Sequence, residues 1–146
     1  MKIADVMTNT PEFVTLHDSL LDCARIMASR DVGVVPICES MDTRKLIGCL
    51  TDRDIVVRVV ADQKDMNTPV TDVMTINIVT CKPEDDIEHA RELMEQHQIR
   101  RLMVVDEYGS LMGIVATADL ARIVDEREVG ETLEAISAPA PTLNTK

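Results

Sequence analysis

The stretch Asp5-Val6-Met7-Thr8 returns 67 residues later as Asp72-Val73-Met74-Thr75, and this repetition decides how the chain is organised. Three further stretches recur in the same order: residues 20–27 as 87–94, residues 36–39 as 103–106 and, after a turn two residues shorter, residues 48–55 as 113–120. A fixed internal period indicates a repeat architecture. The sequence therefore predicts two copies of one unit, at residues 1–64 and 65–128.

The hydrophobic pattern inside each copy predicts its helices and strands. Apolar residues at i, i+3, i+4 and i+7, with only Arg91 out of pattern in the second copy, predict amphipathic helices over residues 20–27 and 87–94. Acidic residues occupy the first turn of both. Two apolar runs of strand length follow each helix and predict a β-hairpin, with the strands at 32–38 and 45–51, then 99–105 and 110–116.

A closing helix is predicted after each hairpin. In the first copy its apolar face holds Ile55, Val56, Val59 and Val60, and in the second it holds Leu120, Ile123 and Val124. A short strand precedes the first helix of each copy, around residues 13–16 and 76–81. The register of this strand is open. Thr15 and Thr80 resemble each other in local context, but the gap-free alignment pairs Thr15 with a residue two positions after Thr80.

The predicted fold is α/β of the α+β kind, with the element order β-α-β-β-α in each copy. One such unit leaves half of its sheet and helix surface uncovered, so the two copies are expected to pack about a pseudo-two-fold axis and share a core. Residues 62–69 link the copies. Residues 129–146 are expected to hold the end of an acidic helix, stopped by Gly130, and a disordered tail from residue 135.

Composition excludes several kinds of partner. The formal net charge of the 146 residues is -11, which repels nucleic acid and anionic membrane surfaces. Aromatic residues are only 1% of the chain, too few for stacking platforms on single-stranded nucleic acid. The apolar runs are far shorter than the roughly 20 residues that a membrane helix needs, and no leader opens the chain. We expect a cytoplasmic protein.

The residues that often bind metals are scattered. The cysteines lie inside apolar stretches, never as Cys-x-x-Cys, and we expect buried, reduced thiols that pack as small hydrophobic groups. The histidines have polar neighbours and are expected at exposed positions. The repeated methionines favour core packing over a cofactor site. No metal site is predicted from these residues, which are Cys23, Cys38, Cys49, Cys81, His17, His89, His97, Met7, Met27, Met74 and Met94.

The doubled unit resembles a known family. A β-α-β-β-α unit that opens with Asp-Val-Met-Thr, has Pro-Ile in its hairpin and ends Gly-x-x-Thr-x-x-Asp into a helix is similar to the cystathionine-β-synthase (CBS) domain, and two in tandem resemble a Bateman module. The resemblance covers residues 1–128. It implies a stand-alone, homodimeric regulatory module without catalytic activity. Such a module binds AMP, ADP, ATP, S-adenosylmethionine or NAD between the repeats, requires no cofactor and signals to a partner protein that the sequence does not identify.

The resemblance also implies which residues contact the ligand. The Asp of Gly-x-x-Thr-x-x-Asp accepts hydrogen bonds from the ribose hydroxyls, because an ionised carboxylate has only acceptor positions. The Thr hydroxyl contacts ribose or phosphate. In the first copy these residues are Thr51 and Asp54. Thr15 and Pro36 are assigned to the adenine pocket.

The second copy departs from the family pattern. Asp119 is retained, but Ala116 stands where the hydroxyl should be, and Thr117 follows one position later. Arg100 and Arg101 begin the second hairpin and resemble a segment that supplies phosphate contacts in the AMP-activated kinase. Pairing them with Thr51 and Asp54 predicts one full site, and a depleted site at Asp119.

Other interpretations of these residues stay open. Both aspartates lie where a first-turn acid would stabilise a helix without any ligand. Arg100 and Arg101 can pair with surface carboxylates, and as neighbours on a strand they face opposite sides. The degraded second site also fits a ligand-free dimeric scaffold for protein interactions. An enzyme is disfavoured, since no nucleophile and base arrangement or phosphate-binding glycine loop is present.

Overall fold

The computed structural model describes residues 1–123. The strands are Thr8–Asn9 (β1), Val14–Thr15 (β2), Val34–Cys38 (β3), Leu46–Thr51 (β4), Thr80–Cys81 (β5), Arg101–Val105 (β6) and Leu111–Ala116 (β7). The helices are Leu20–Arg30 (α1), Asp52–Asp54 continued by a π-helix at Ile55–Val60 (together α2), Ile87–His97 (α3) and residues 117–123 (α4). The predictions for Val124, Gly130 and residues 129–146 lie outside the described residues.

The strands form two sheets, one with the order β2-β3-β4 and one with the order β1-β7-β6-β5. In the first sheet β3 and β4 are antiparallel, with Val34 opposite Thr51, and β2 runs parallel to β3. In the second sheet β5 runs parallel to β6 and β7 lies beside β6. The predicted α/β fold class is confirmed. Each copy contains the predicted order β-α-β-β-α, which the additional strand β1 precedes in the first copy.

The strand register answers the question that the sequence left open. Val14 lies opposite Ile37 in the first copy, and Cys81 lies opposite Val104 in the second. Each residue of the second pair therefore stands 67 positions after its counterpart in the first. The hydrogen bonds agree, since the N–H of Thr15 donates to Asp18 at 2.8 Å and the N–H of Lys82 donates to Asp85 at 2.9 Å. The counterpart of Thr15 is therefore Lys82, and Thr80 is not its equivalent.

The described chain divides into two compact units that cut across the sequence copies. Unit 1 comprises Met1–Asn9, Val79–Val104 and the chain from Met112, and unit 2 comprises Thr10–Ile78 and Val105–Leu111. In unit 1 the opening segment of the first copy packs on elements of the second. Its strand β1 pairs with β7, and the N–H of Ile3 donates to the carbonyl of Asp85 at 2.8 Å.

Unit 2 contains the corresponding exchange. The opening segment of the second copy packs there on elements of the first, because the N–H of Val70 donates to the carbonyl of Asp18 at 3.0 Å and Thr75 exchanges two main-chain hydrogen bonds with Cys49. Each Asp-Val-Met-Thr segment thus completes the unit built from the other copy.

The repeated methionine and the repeated glycine are packing partners. A Cβ atom on Gly113 would lie 2.7 Å from Met7 Sδ and 2.7 Å from the carbonyl oxygen of Thr8. A Cβ atom on Gly48 would lie 2.6 Å from Met74 Sδ. The glycine at this position of each copy is therefore required by the close approach of the exchanged segment. The predicted packing role of both methionines is confirmed.

The closing helix of the first copy differs from the prediction. Ile55 is partly buried and Val59 is fully buried, but Val56 and Val60 are 59% and 62% exposed. The predicted shared face is wrong for those two residues, because this segment is wound as a π-helix with hydrogen bonds five residues apart, such as Ala61 N–H to the Val56 carbonyl at 3.0 Å. Wider winding changes which side chains share a face.

The first helix of each copy buries residues of its predicted apolar face. Leu20 and Cys23 of α1 are buried in the core of unit 2, and Ala90 and Met94 of α3 are buried in the core of unit 1. All three histidines are exposed, as predicted. Within residues 1–123, no helix combines the length and the hydrophobicity that crossing a bilayer would require.

Candidate functional site

Thr51 and Asp54 are joined by two reciprocal hydrogen bonds in unit 2. Thr51 ends β4 and is the N-cap of α2, where its Oγ1 accepts from the N–H of Asp54 at 3.0 Å. The N–H of Thr51 donates to Asp54 Oδ2 at 3.0 Å. This capping box forms because a Thr and an Asp three residues apart each satisfy a main-chain N–H at a helix start. The two side chains are consequently held in a fixed orientation where strand meets helix.

The capping box leaves hydrogen-bonding capacity in both side chains. Asp54 is 18% exposed at its side chain, and its second oxygen, Oδ1, lies 3.9 Å from Arg58 Nη1. A carboxylate oxygen accepts more than one hydrogen bond, and the Thr51 hydroxyl still has its proton to donate. The turn therefore presents one acceptor and one donor side by side, the combination that a ribose hydroxyl needs.

In unit 1 the second copy repeats only the acidic half of this arrangement. The N–H of Ala116 donates to Asp119 Oδ2 at 2.9 Å, and Asp119 Oδ1 lies 3.6 Å from Arg122 Nη1. Ala116 has no hydroxyl to place beside the carboxylate. Thr117 is exposed, and its main-chain N–H donates to the carbonyl of Arg100 at 2.9 Å. Both aspartates thus cap their helices, as the alternative interpretation expected.

Arg100 and Arg101 lie in unit 1 with Asp119, whereas Thr51 and Asp54 lie in unit 2. Arg100 is exposed and Arg101 is half-buried at the start of β6. Arg101 forms no ion pair with a carboxylate in the part of the chain that the structure describes.

Thr15 and Pro36 share unit 2 with Thr51 but lie elsewhere on its sheet. Thr15 is opposite Cys38 at one end of β3, and Thr51 is opposite Val34 at the other, a separation on the order of 13 Å along the strand. The hydroxyl of Thr15 donates to Asp18 at 3.3 Å. Pro36 is buried in the middle of β3. The sheet therefore keeps Thr15 away from the Thr51 turn, whereas Pro36 lies opposite Cys49, two residues from Thr51 along β4.

Arg58 is a further candidate residue that lies outside the family motif. Its side chain is 46% exposed and faces the carboxylate of Asp54 from the next turn of α2. The signal that could have found it is the i, i+4 spacing of an acid and an arginine, which places the two side chains on one helix face.

The cysteines are free thiols, buried in three cases and half-buried at Cys49. Burial raises the pKa of Cys23 and Cys81 to about 12, and that of Cys38 and Cys49 to about 11. A thiol must lose its proton to bind a metal, so these environments oppose metal binding. Among residues 1–123, no group of three or more His, Cys, Asp or Glu side chains is placed to hold a metal ion.

Comparison with known proteins identifies the family. The CBS domain family matches residues 3–61 and 70–126. CBS domain-containing protein YhcV of Bacillus subtilis is 41% identical over 119 residues, which are 82% of this chain and 82% of YhcV. Hypoxic response protein 1 of Mycobacterium tuberculosis is 35% identical over 136 residues, which are 92% of this chain and 93% of that protein.

Solved structures agree with the sequence relatives. The crystal structure of Hypoxic Response Protein I with two coordinated zinc ions has a TM-score of 0.75 and 36% identity, and covers 84% of this chain and 98% of its own. The CBS domain pair of protein MJ0100, in complex with 5-methylthioadenosine and S-adenosyl-L-methionine, has a TM-score of 0.75 and 25% identity, and covers 85% of this chain and 99% of its own. With both of its repeats matched, this chain belongs to the CBS domain family and carries two tandem CBS domains.

Proposed function

We propose that this chain is a regulatory module that binds an adenosine-containing ligand at Thr51 and Asp54 and signals its occupancy to a partner protein. The observation that carries the proposal is the capping box, which holds the Asp54 carboxylate beside the Thr51 hydroxyl and leaves Oδ1 for a ligand. The CBS domain pair of MJ0100, a structural neighbour, holds two adenosine-containing ligands, which supports this ligand class.

The chemistry favours a ribose. Two adjacent hydroxyls can both donate to a carboxylate, which a bare base cannot do, so an ionised Asp54 selects nucleosides. AMP, ADP, ATP, S-adenosylmethionine and NAD all carry this group. The phosphate role of Arg100 and Arg101, the homodimer and the identity of the regulated partner stay predictions. Regulation requires the ligand to bind two states of the module with different affinity.

Isothermal titration calorimetry with a panel of these five ligands tests the proposal. We expect at least one of them to bind, and Asp54→Asn to weaken its binding about tenfold or more, because hydrogen bonds to a charged group are the strong ones. The matched control is Asp119→Asn, which removes the same capping carboxylate from the other copy, where no hydroxyl accompanies it. No binding by any ligand, or equal losses in both variants, would contradict the proposal.

A ligand-free scaffold is the second candidate. The observation that favours it is the full capping role of both aspartates, which accounts for their presence without any ligand. A scaffold would capture its protein partner with the same affinity in the presence and absence of every ligand of the panel. In a regulatory module, bound ligand would change the affinity for the protein partner. The size of that change is set by the difference between the ligand's affinities for the two states of the module.

A further inference from the structure

Arg58 lies against the carboxylate oxygen of Asp54 that the capping box leaves unused. Asp54 Oδ2 is committed to the N–H of Thr51 at 3.0 Å, and Oδ1 faces Arg58 Nη1 at 3.9 Å. A long side chain on a helix covers the turn that precedes its own Cα, which is why the guanidinium reaches back to Asp54. Any hydroxyl that binds Oδ1 therefore meets the guanidinium of Arg58.

The two kinds of nucleoside ligand differ in what they offer this arginine. A neutral nucleoside takes the carboxylate oxygen from Arg58 and supplies no anion in exchange. A nucleotide takes the same oxygen but brings a phosphate, with which a guanidinium forms charge-assisted, often bidentate hydrogen bonds. Since the Arg58 side chain is 46% exposed, it has room to turn from one anion to the other.

The charge of the chain strengthens this difference. At a formal net charge of -11, the average field repels an incoming phosphate, so a cation beside the ribose site has a large influence on whether anionic ligands bind. The ion pair with Asp54 keeps Arg58 at the site before a ligand arrives.

Resting on the proposed function, we propose that Arg58 is a specificity residue that makes the site at Thr51 and Asp54 prefer phosphorylated over unphosphorylated adenosine ligands. The residue acts twice. It competes with a nucleoside for Asp54 Oδ1, and it binds the phosphate of a nucleotide. Removing it should therefore weaken the binding of a nucleotide and leave the binding of a nucleoside unchanged or slightly stronger, whereas removing a merely structural arginine would weaken both together.

The chain offers a matched control on the same helix. Arg53 is an exposed arginine in the first turn of α2, and its side chain forms no ion pair with a carboxylate within residues 1–123. Arg53→Gln changes the net charge by the same amount as Arg58→Gln but leaves the ion pair with Asp54 intact. Arg58→Lys keeps the charge and removes only the planar fork.

Calorimetric titration of adenosine and AMP into the wild-type chain and the three variants tests the proposal. In Arg58→Gln we expect AMP binding to weaken about tenfold, and adenosine binding to stay unchanged or to strengthen up to about twofold, since a half-exposed ion pair is a weak competitor. Arg58→Lys should keep part of the AMP preference and Arg53→Gln all of it. Thermal midpoints of all four proteins report whether they are folded.

The outcomes separate this inference from the proposed function. A wild-type chain that binds both ligands and keeps its AMP preference in Arg58→Gln overturns the role of Arg58 alone. Equal weakening of adenosine and AMP in that variant also overturns it, because it indicates a structural role. A folded wild-type chain that binds neither adenosine nor AMP overturns the role of Arg58, and it overturns the proposed function as well only when ADP, ATP, S-adenosylmethionine and NAD also fail to bind.

Discussion

Asp54 and Asp119 serve their helices in the same way, but their partners differ. Each carboxylate accepts the main-chain N–H of the residue three positions earlier and lies within 4 Å of an arginine. Only Asp54 receives the reciprocal cap from a hydroxyl, because Ala116 replaces the threonine in the second copy. The second copy therefore lacks the hydroxyl that, in the first copy, both caps the helix and belongs to the candidate site.

Removing the N-cap hydroxyl of the first copy and adding one to the second, in two separate variants, should change the free energy of unfolding in opposite directions. Thr51→Ala removes the side-chain cap of α2 and should lower the free energy of unfolding by about 1 kcal/mol, and Ala116→Thr should raise it by a similar amount by capping α4. Urea denaturation of the two variants and the wild type measures both changes. An unaltered midpoint in Thr51→Ala would show that the capping hydrogen bond contributes nothing to stability.

At the scale of the elements, the exchanged opening segments are the main structural feature. Ile3 is fully buried among residues of the second copy, including Ala90 and Met94 of α3, and Val70 is fully buried among residues of the first, including Leu20 and Cys23 of α1. Each helix therefore depends for its packing on a segment that the sequence assigns to the other copy.

Truncating these two residues should loosen the helix of the opposite copy. Ile3→Ala should cost about 2–5 kcal/mol, the usual range for a fully buried isoleucine, and should reduce amide hydrogen-exchange protection in Ile87–His97 more than in Leu20–Arg30. Val70→Ala is the matched control and should show the reverse preference. Loss of protection confined to α1 in Ile3→Ala would contradict the exchange.

At the scale of the whole molecule, the buried thiols make the free energy of unfolding depend on pH in the alkaline range. Burial raises the pKa of Cys23 and Cys81 from 9.0 to about 12, and that of Cys38 and Cys49 from 9.0 to about 11. Above pH 9 the unfolded chain releases these protons while the folded chain keeps them. Because the unfolded state then binds fewer protons, rising pH favours unfolding.

We expect the free energy of unfolding, measured with urea and a reductant, to be insensitive to these thiols below pH 9. It should fall between pH 9 and 10 by about 1 kcal/mol for each thiol that the folded chain keeps protonated. Cys49→Ala should reduce this fall in the free energy of unfolding by about the contribution of one thiol. A stability that stays constant from pH 9 to 10 would show that the native thiols ionise normally.

Much of this molecule could be predicted from periodicity and spacing. Apolar residues at i, i+3 and i+7 predict α1 and α3, and the paired apolar runs predict both hairpins, because helix and strand patterns depend on which side of a local element is buried. The Thr51 to Asp54 spacing predicts a capped turn, since both hydrogen bonds of a capping box join residues that are close in the chain.

Other features depend on contacts between residues far apart in sequence. The exchange of Met1–Asn9 into unit 1 and the pairing of Val14 with Ile37 follow from how strands meet, which no local pattern reports. The π-winding of Ile55–Val60 is likewise absent from the pattern of valines. By itself, the sequence determined the two copies, their elements and the turn with Thr51 and Asp54. Only the tertiary structure decided which copy each opening segment completes and how the closing helix of the first copy is wound, because packing selects among arrangements that the sequence leaves equivalent.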